Sequence, residues 1–166
     1  FELVEVDSQQ KLKMSFIPDL TRLRQPAIGE WEYNLSSMQK SIPCPCECLL
    51  SASRKDIQEH GLIVEFSNDN NELLSIEVDI KNNKIVCDRT QLNWNEKDFG
   101  RYIVGPIFWR NDKLDIQIVI DNCAIEILLN GGLVSMTNLM FPNEPFSSLR
   151  INTQNPKASL SRNVKN

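Results

Sequence analysis

Residues 113–142 read KLDIQIVIDNCAIEILLNGGLVSMTNLMFP. From Leu114 the residues alternate, with Ile116, Ile118 and Ile120 on one side and Asp115, Gln117 and Asp121 on the other. A side-chain period of two is that of a strand with one buried face. Asp121-Asn122-Cys123 breaks the pattern, and Ile125, Ile127 and Leu129 resume it with Glu126 opposite. Asn130-Gly131-Gly132 follows; Asn-Gly accepts the positive φ angles of a tight hairpin. Residues 133–141 read as a third strand, ended by Pro142, which cannot donate to a ladder. Three strands joined by short turns predict an antiparallel meander.

Outward from this stretch the same period recurs. Residues 61–67 and 73–79 predict a strand pair around a polar turn at 68–71, and residues 85–88 a further strand after Lys81-Asn82-Asn83-Lys84. Residues 47–53 and 147–152 are strand-like, as are 2–6 and 11–17 on either side of Ser8-Gln9-Gln10. Trp31 and Tyr33 alternate with Glu30 and Glu32, as on an edge strand. Asp19 is placed to cap a short helix that Pro26 stops, and residues 54–60 suit a loop or a single helical turn. Gln91 to Gly100 reads as a loop carrying Trp94, and Gly105-Pro106 is expected to interrupt the segment 102–110. Residues 157–166 fit a last strand or a tail. About ten to twelve short strands with little helix predict an all-β fold, two antiparallel sheets packed face to face. Ile116, Ile118, Ile120, Ile125, Ile127, Val64 and Phe66 are the expected inner faces.

Composition suits one compact domain: 166 residues, 41% hydrophobic and 24% charged. A net charge of -4 argues against nucleic-acid and anionic-membrane partners, which call for a basic face. No run of about 18 apolar residues is present, so no membrane-spanning helix is expected. Phe1 suggests a piece of a longer protein. Asn34-Leu35-Ser36 is a glycosylation triplet in an exporting eukaryote. Five cysteines leave at least one thiol unpaired within the chain. Cys44, Cys46 and Cys48 alternate, which on a strand puts all three on one face as small buried hydrophobes; zinc ligands are usually spaced more widely. No metal site and no cofactor is expected. His60, the one histidine, reads as a solvated turn residue.

An ordered set of motifs resembles the C-terminal β-sandwich module of glycoside hydrolase family 32, the family of invertases, levanases, inulinases and sucrose-6-phosphate hydrolases. The set comprises Asp121 and Glu126, Asn130-Gly131, Thr137, Phe141-Pro142, Asp88-Arg89-Thr90, Gly61-Leu62, and the segment 20–26 that is similar to the linker leaving a catalytic propeller. It spans nearly the whole chain. The resemblance implies the lectin-like jelly-roll form of the sandwich. It divides the chain into residues 1–30, a linker with the first strands leaving an N-terminal propeller, and residues 31–166, the sandwich module. It favours an extracytoplasmic parent, whereas the unpaired cysteine suits the cytoplasm.

Glycoside hydrolysis needs two flanking carboxyl groups, about 5–5.5 Å apart for retention. The family supplies them from its propeller, whose Asn-Asp-Pro-Asn-Gly and Arg-Asp-Pro motifs are not in this sequence. Glu47-Cys48 repeats the family's catalytic Glu-Cys pair in letters only. No catalytic residue is therefore assigned, and the chain is expected to hydrolyse neither sucrose nor levan. Asp88, Arg89, Trp94, Arg101, Asp121 and Glu126 remain as a polar set. They suit either sugar binding, with Trp94 as a stacking platform, or an ion-pair network joining the sheets. The expected roles are an accessory domain packed on the propeller of a fructan- or sucrose-cleaving glycosidase, or an autonomous fructan-binding module. Leu20, Leu23, Ile28 and Trp31 fit no clean helix or strand face, so an apolar patch and weak self-association are expected at that end.

Overall fold

The computed structural model of the protein describes residues 1–6, 8–24, 29–30, 37–58, 61–93, 100–153 and 160–165, with the backbone alone at 21, 29–30, 37–38 and 160–165. Ile28, the edge strand expected at 31–33, the triplet at 34–36, His60 and Trp94 lie outside the described residues.

In chain order the elements are β1 (Glu2–Val6), β2 (Gln9–Lys13), α1 (Leu20–Leu23), β3 (Gly29–Glu30), β4 (Ser37–Ser41), β5 (Cys46–Ser53), α2 (Arg54–Ile57) and β6 (Leu62–Ser67). They continue with β7 (Leu73–Asp79), β8 (Lys84–Gln91), β9 (Tyr102–Pro106), β10 (Lys113–Ile120), β11 (Ala124–Leu129), β12 (Val134–Leu139), β13 (Ser148–Thr153) and β14 (Leu160–Lys165). Two six-stranded sheets form, in the orders β12-β11-β10-β5-β14-β3 and β4-β13-β6-β7-β8-β9. All named pairings are antiparallel, and β1-β2 is a separate ribbon. This is the two-sheet sandwich that the period-two pattern predicts, and β10-β11-β12 is the predicted meander.

The register carries the inner face across strands. Met136, Ile127, Ile118 and Cys48 pair in line on the first sheet, and all are buried. On the second, Ile151, Val64, Ile76 and Cys87 do the same. Each fully buried aliphatic of this size contributes roughly 1.5–3 kcal/mol.

Several details differ from the sequence reading. The third meander strand is Val134–Leu139, shorter than residues 133–141. Leu133 belongs to the turn, where Asn130, Gly131 and Gly132 all have positive φ and Leu133 N donates to Leu129 O at 3.0 Å. Gly132 is obligatory here: a Cβ would lie 1.6 Å from Met14 O, because Met14 N bonds Gly132 O at 2.9 Å and docks the β1-β2 ribbon on this turn. β9 runs through Gly105-Pro106 without interruption, since it is an edge strand whose missing proline N–H costs no ladder bond. Cys46 and Cys48 face the core, but Cys44 does not share their strand; it precedes β5, next to a cis bond to Pro45, and is half-buried. Glu47, between two inward cysteines, is also buried, because residues 15–24 cover the outer face of the first sheet there.

All five cysteines are free thiols. Burial raises Cys46 and Cys87 from 9.0 to about 12. The native state therefore holds protons that the unfolded chain releases above pH 9.0. The stability this lends is full below pH 9.0 and lost as pH rises towards 12. Urea titrations should show a loss of up to about 1.4 kcal/mol per pH unit per thiol over that range, and Cys87→Ala should remove its share of the slope. An unchanged slope would contradict the assignment. Ile118→Asp places an unpaired charge on the inner face and is expected to unfold the chain. A melting temperature within about two degrees of wild type would mean that the side chain reaches solvent.

Candidate functional site

The motif Asp88-Arg89-Thr90 lies on β8, and alternation sends its neighbours to opposite faces. Asp88 points outward and its Oδ1 accepts the Thr90 N–H at 2.8 Å. Arg89 points inward and is 6% exposed. Its guanidinium donates to the carbonyls of Leu139 and Gly100, so it reaches from the second sheet to the end of β12 in the first. Its backbone N–H donates to Arg101 O at 2.9 Å, which places the exposed Arg101 at the mouth of β9.

Asp121 and Glu126 lie on the first sheet. Asp121 Oδ1 accepts the N–H groups of Cys123 and Ala124, each at 2.8 Å, and fixes the β10-β11 turn. The Asp121 carboxylate also raises the Cys123 thiol. Ala124 pairs with Leu139, the residue whose carbonyl receives Arg89, so the two motifs meet at one end of the sandwich. Glu126 is half-buried on the outer face of β11, opposite Thr137 and Val119, a different surface from that of Asp88. The described members of the set therefore do not line one pocket.

A second feature is an apolar cleft of about 390 Å³ on the outer face of the first sheet. Phe16, Ile17, Leu20 and Leu23 form one wall, and Val119 and Leu128 the floor. Ile17 and Leu23 are 63% and 71% exposed. At its edge Glu47 binds Arg24, with Nε–Oε2 at 2.6 Å and a second nitrogen on Oε1 at 2.7 Å, and Gln117 Nε2 donates to Oε1 at 2.6 Å. Glu47 is the one carboxylate among the described residues lining the cleft, where two-carboxyl hydrolysis needs a pair.

Sequence reasoning missed a buried carboxylate. Glu72 is fully buried and accepts Asn68 Nδ2 at 2.7 Å, Asn143 N at 2.9 Å and Asn93 N at 3.2 Å. It joins the β6-β7 turn to the start of the Trp94 loop and to the segment before β13. Its signal in the sequence was only a run of turn-forming Asn and Asp, which marks a turn without showing that three loops share it.

Arg89→Met keeps the volume but strips two inter-element carbonyls of their donor. Hydrogen bonds from a charged donor are worth roughly 1.5–3 kcal/mol, so denaturant unfolding should show a loss of about 2 kcal/mol or more. A change below about 0.5 kcal/mol, the size of an ordinary surface substitution, would contradict the bridging role.

The structure of this chain aligns with exo-inulinase from Aspergillus awamori at a TM-score of 0.86 and 15% identity, covering 98% of this chain and 34% of that one. Sucrose-6-phosphate hydrolase from Lactobacillus gasseri aligns at 0.76 and 17%, covering 98% and 32%. The chain thus spans about a third of the length of these enzymes. Galectin LEC-6 from Caenorhabditis elegans aligns at 0.59 and 10% over 82% of this chain and 95% of its own, in keeping with a lectin-like sandwich. No curated protein matches by sequence. The family model described as glycosyl hydrolases family 32 C terminal matches residues 10–165, and the chain belongs to that family.

Proposed function

We propose that this chain is the non-catalytic accessory module of a fructan- or sucrose-cleaving glycosidase and that it docks on the N-terminal catalytic propeller through the cleft on its first sheet. The observation that carries the reading is the exposure of Ile17, Leu20 and Leu23 around an apolar cleft of about 390 Å³. Contiguous exposed apolar surface of this kind marks an interaction site on a soluble domain. The family supports the choice of partner, because its relatives extend well beyond the length of this chain. Residues 1–30 then serve as the segment leaving the propeller, its last two residues adding β3 to the first sheet, and residues 31–166 as the rest of the sandwich.

The two walls differ in how they serve docking. Val119 and Leu128 are fixed on paired strands. Residues 15–24 hold their place through the Met14–Gly132 bond at one end and the Arg24–Glu47 pair at the other. A surface anchored at both ends is ordered before its partner arrives, which lowers the entropic cost of association.

Sedimentation of the 166-residue chain tests this directly. Weak self-association through the bare cleft is expected at high concentration. Leu20→Glu combined with Leu23→Glu should abolish it while changing stability by no more than about 1 kcal/mol, as expected for exposed sites. A strictly monomeric chain, or a double variant that unfolds, would contradict the docking surface.

A further inference from the structure

The outer face of the second sheet is built differently from the first. Strand pairing aligns Gln39, Arg150, Glu65, Ser75, Asp88 and Tyr102 across all six strands. The next row on the same face runs Asn152, Ile63, Glu77, Val86 and Val104. Gln39, Glu77 and Arg150 are exposed, and Tyr102 and Val104 are 59% and 57% exposed. Tyr102 and Val104 lie on β9 at the sheet edge, with Val86 beside them.

The polar groups are held in place. Glu65 Oε2 accepts Asn152 Nδ2 at 3.1 Å and lies 3.7 Å from the Arg150 guanidinium. Asp88 is oriented by the Thr90 N–H. Among the described residues, Glu65 Oε1 and Asp88 Oδ2 accept no hydrogen bond. Each carboxylate thus presents one fixed oxygen to solvent. From Glu65 to Tyr102 the row crosses three strand spacings, roughly 14 Å.

We infer that this face binds a neutral oligosaccharide, laid along the row from Arg150 to Tyr102. Sugar rings offer an apolar C–H face and a rim of hydroxyls. Tyr102, with Val104 and Val86, supplies the apolar contact. Glu65 and Asp88 accept hydroxyl protons, while Arg150 and Asn152 donate to hydroxyl oxygens. The charge balance selects against anionic chains, because Arg150 is one cation facing the carboxylates of Glu65, Glu77 and Asp88. A peptide strand added to β9 is disfavoured, since Gly105-Pro106 interrupts the edge donors. Side chains fixed on paired strands lose little freedom when a ligand arrives. This surface is separate from the docking cleft, and the inference does not rest on the docking reading.

The test is calorimetric titration of the 166-residue chain with inulin, levan and maltoheptaose, with dextran sulfate as the anionic probe. At least one neutral probe should bind. Tyr102→Ala and Glu65→Gln should each weaken it by about tenfold, the effect of removing a central contact. Their melting temperatures should match wild type, and Leu20→Glu with Leu23→Glu should leave binding unchanged. Amide chemical-shift changes on binding should concentrate on β6 to β9, which decides the matter if a variant loses stability. Failure of every neutral probe to bind, shifts elsewhere, unaltered affinity in both folded variants, or preference for dextran sulfate would each overturn the proposal.

Discussion

Arg89 carries a charge into a core built mainly of isoleucine, leucine and valine. An unpaired charge there is far costlier than any single aliphatic contact is worth, so the chain must bring acceptors to it. Acceptors among the described residues include Leu139 at the end of β12 in the opposite sheet and Gly100 just before β9. Satisfying one side chain therefore fixes how the sheets sit at this end. It also sets where the edge strand begins and where the Asp121 turn lies, since Leu139 pairs with Ala124 directly after that turn. Glu72 repeats the device near the other loops, gathering Asn68, Asn93 and Asn143 around a buried carboxylate. Hydrophobic burial supplies most of the favourable free energy; these two ions narrow the arrangements that can keep it.

Much of the fold is legible in the chain because a strand writes its environment with period two. Ile116, Ile118, Ile120, Ile125 and Ile127 are inward in the sequence pattern and buried in the structure. Where a second layer covers the outer face, the pattern misleads. Glu47 and Leu128 occupy outward positions yet are buried, because residues 15–24 pack over them, and a contact so distant in sequence leaves no local trace. The Asp88-Arg89 and Asp121 motifs were visible as motifs. Their meeting around Leu139 was not, since it depends on sheet-to-sheet placement. The outward row from Arg150 to Tyr102 was equally hidden, because its members come from separate strands and meet only through register.

On the proposed readings the two outer faces would divide the work. The first sheet is overlaid by a segment that leaves an apolar cleft, suited to a protein partner. The second remains open to water, polar along one row and apolar at its edge, suited to a small polyhydroxylated ligand. The shared inner core lets either face change without disturbing the other, since alternate positions along one strand serve different surfaces. Membership of the family 32 C-terminal group fits a module whose catalytic groups lie elsewhere.

We propose the first-sheet cleft as the surface this module presents to a catalytic propeller. Hydroxyl-radical footprinting of the chain, alone and joined to a family 32 propeller, tests it most directly. Ile17, Leu20 and Leu23 should be strongly oxidised in the chain alone and protected when the propeller is attached, while Tyr102 stays reactive in both. Equal oxidation of the three apolar residues with and without the propeller would contradict docking through this cleft.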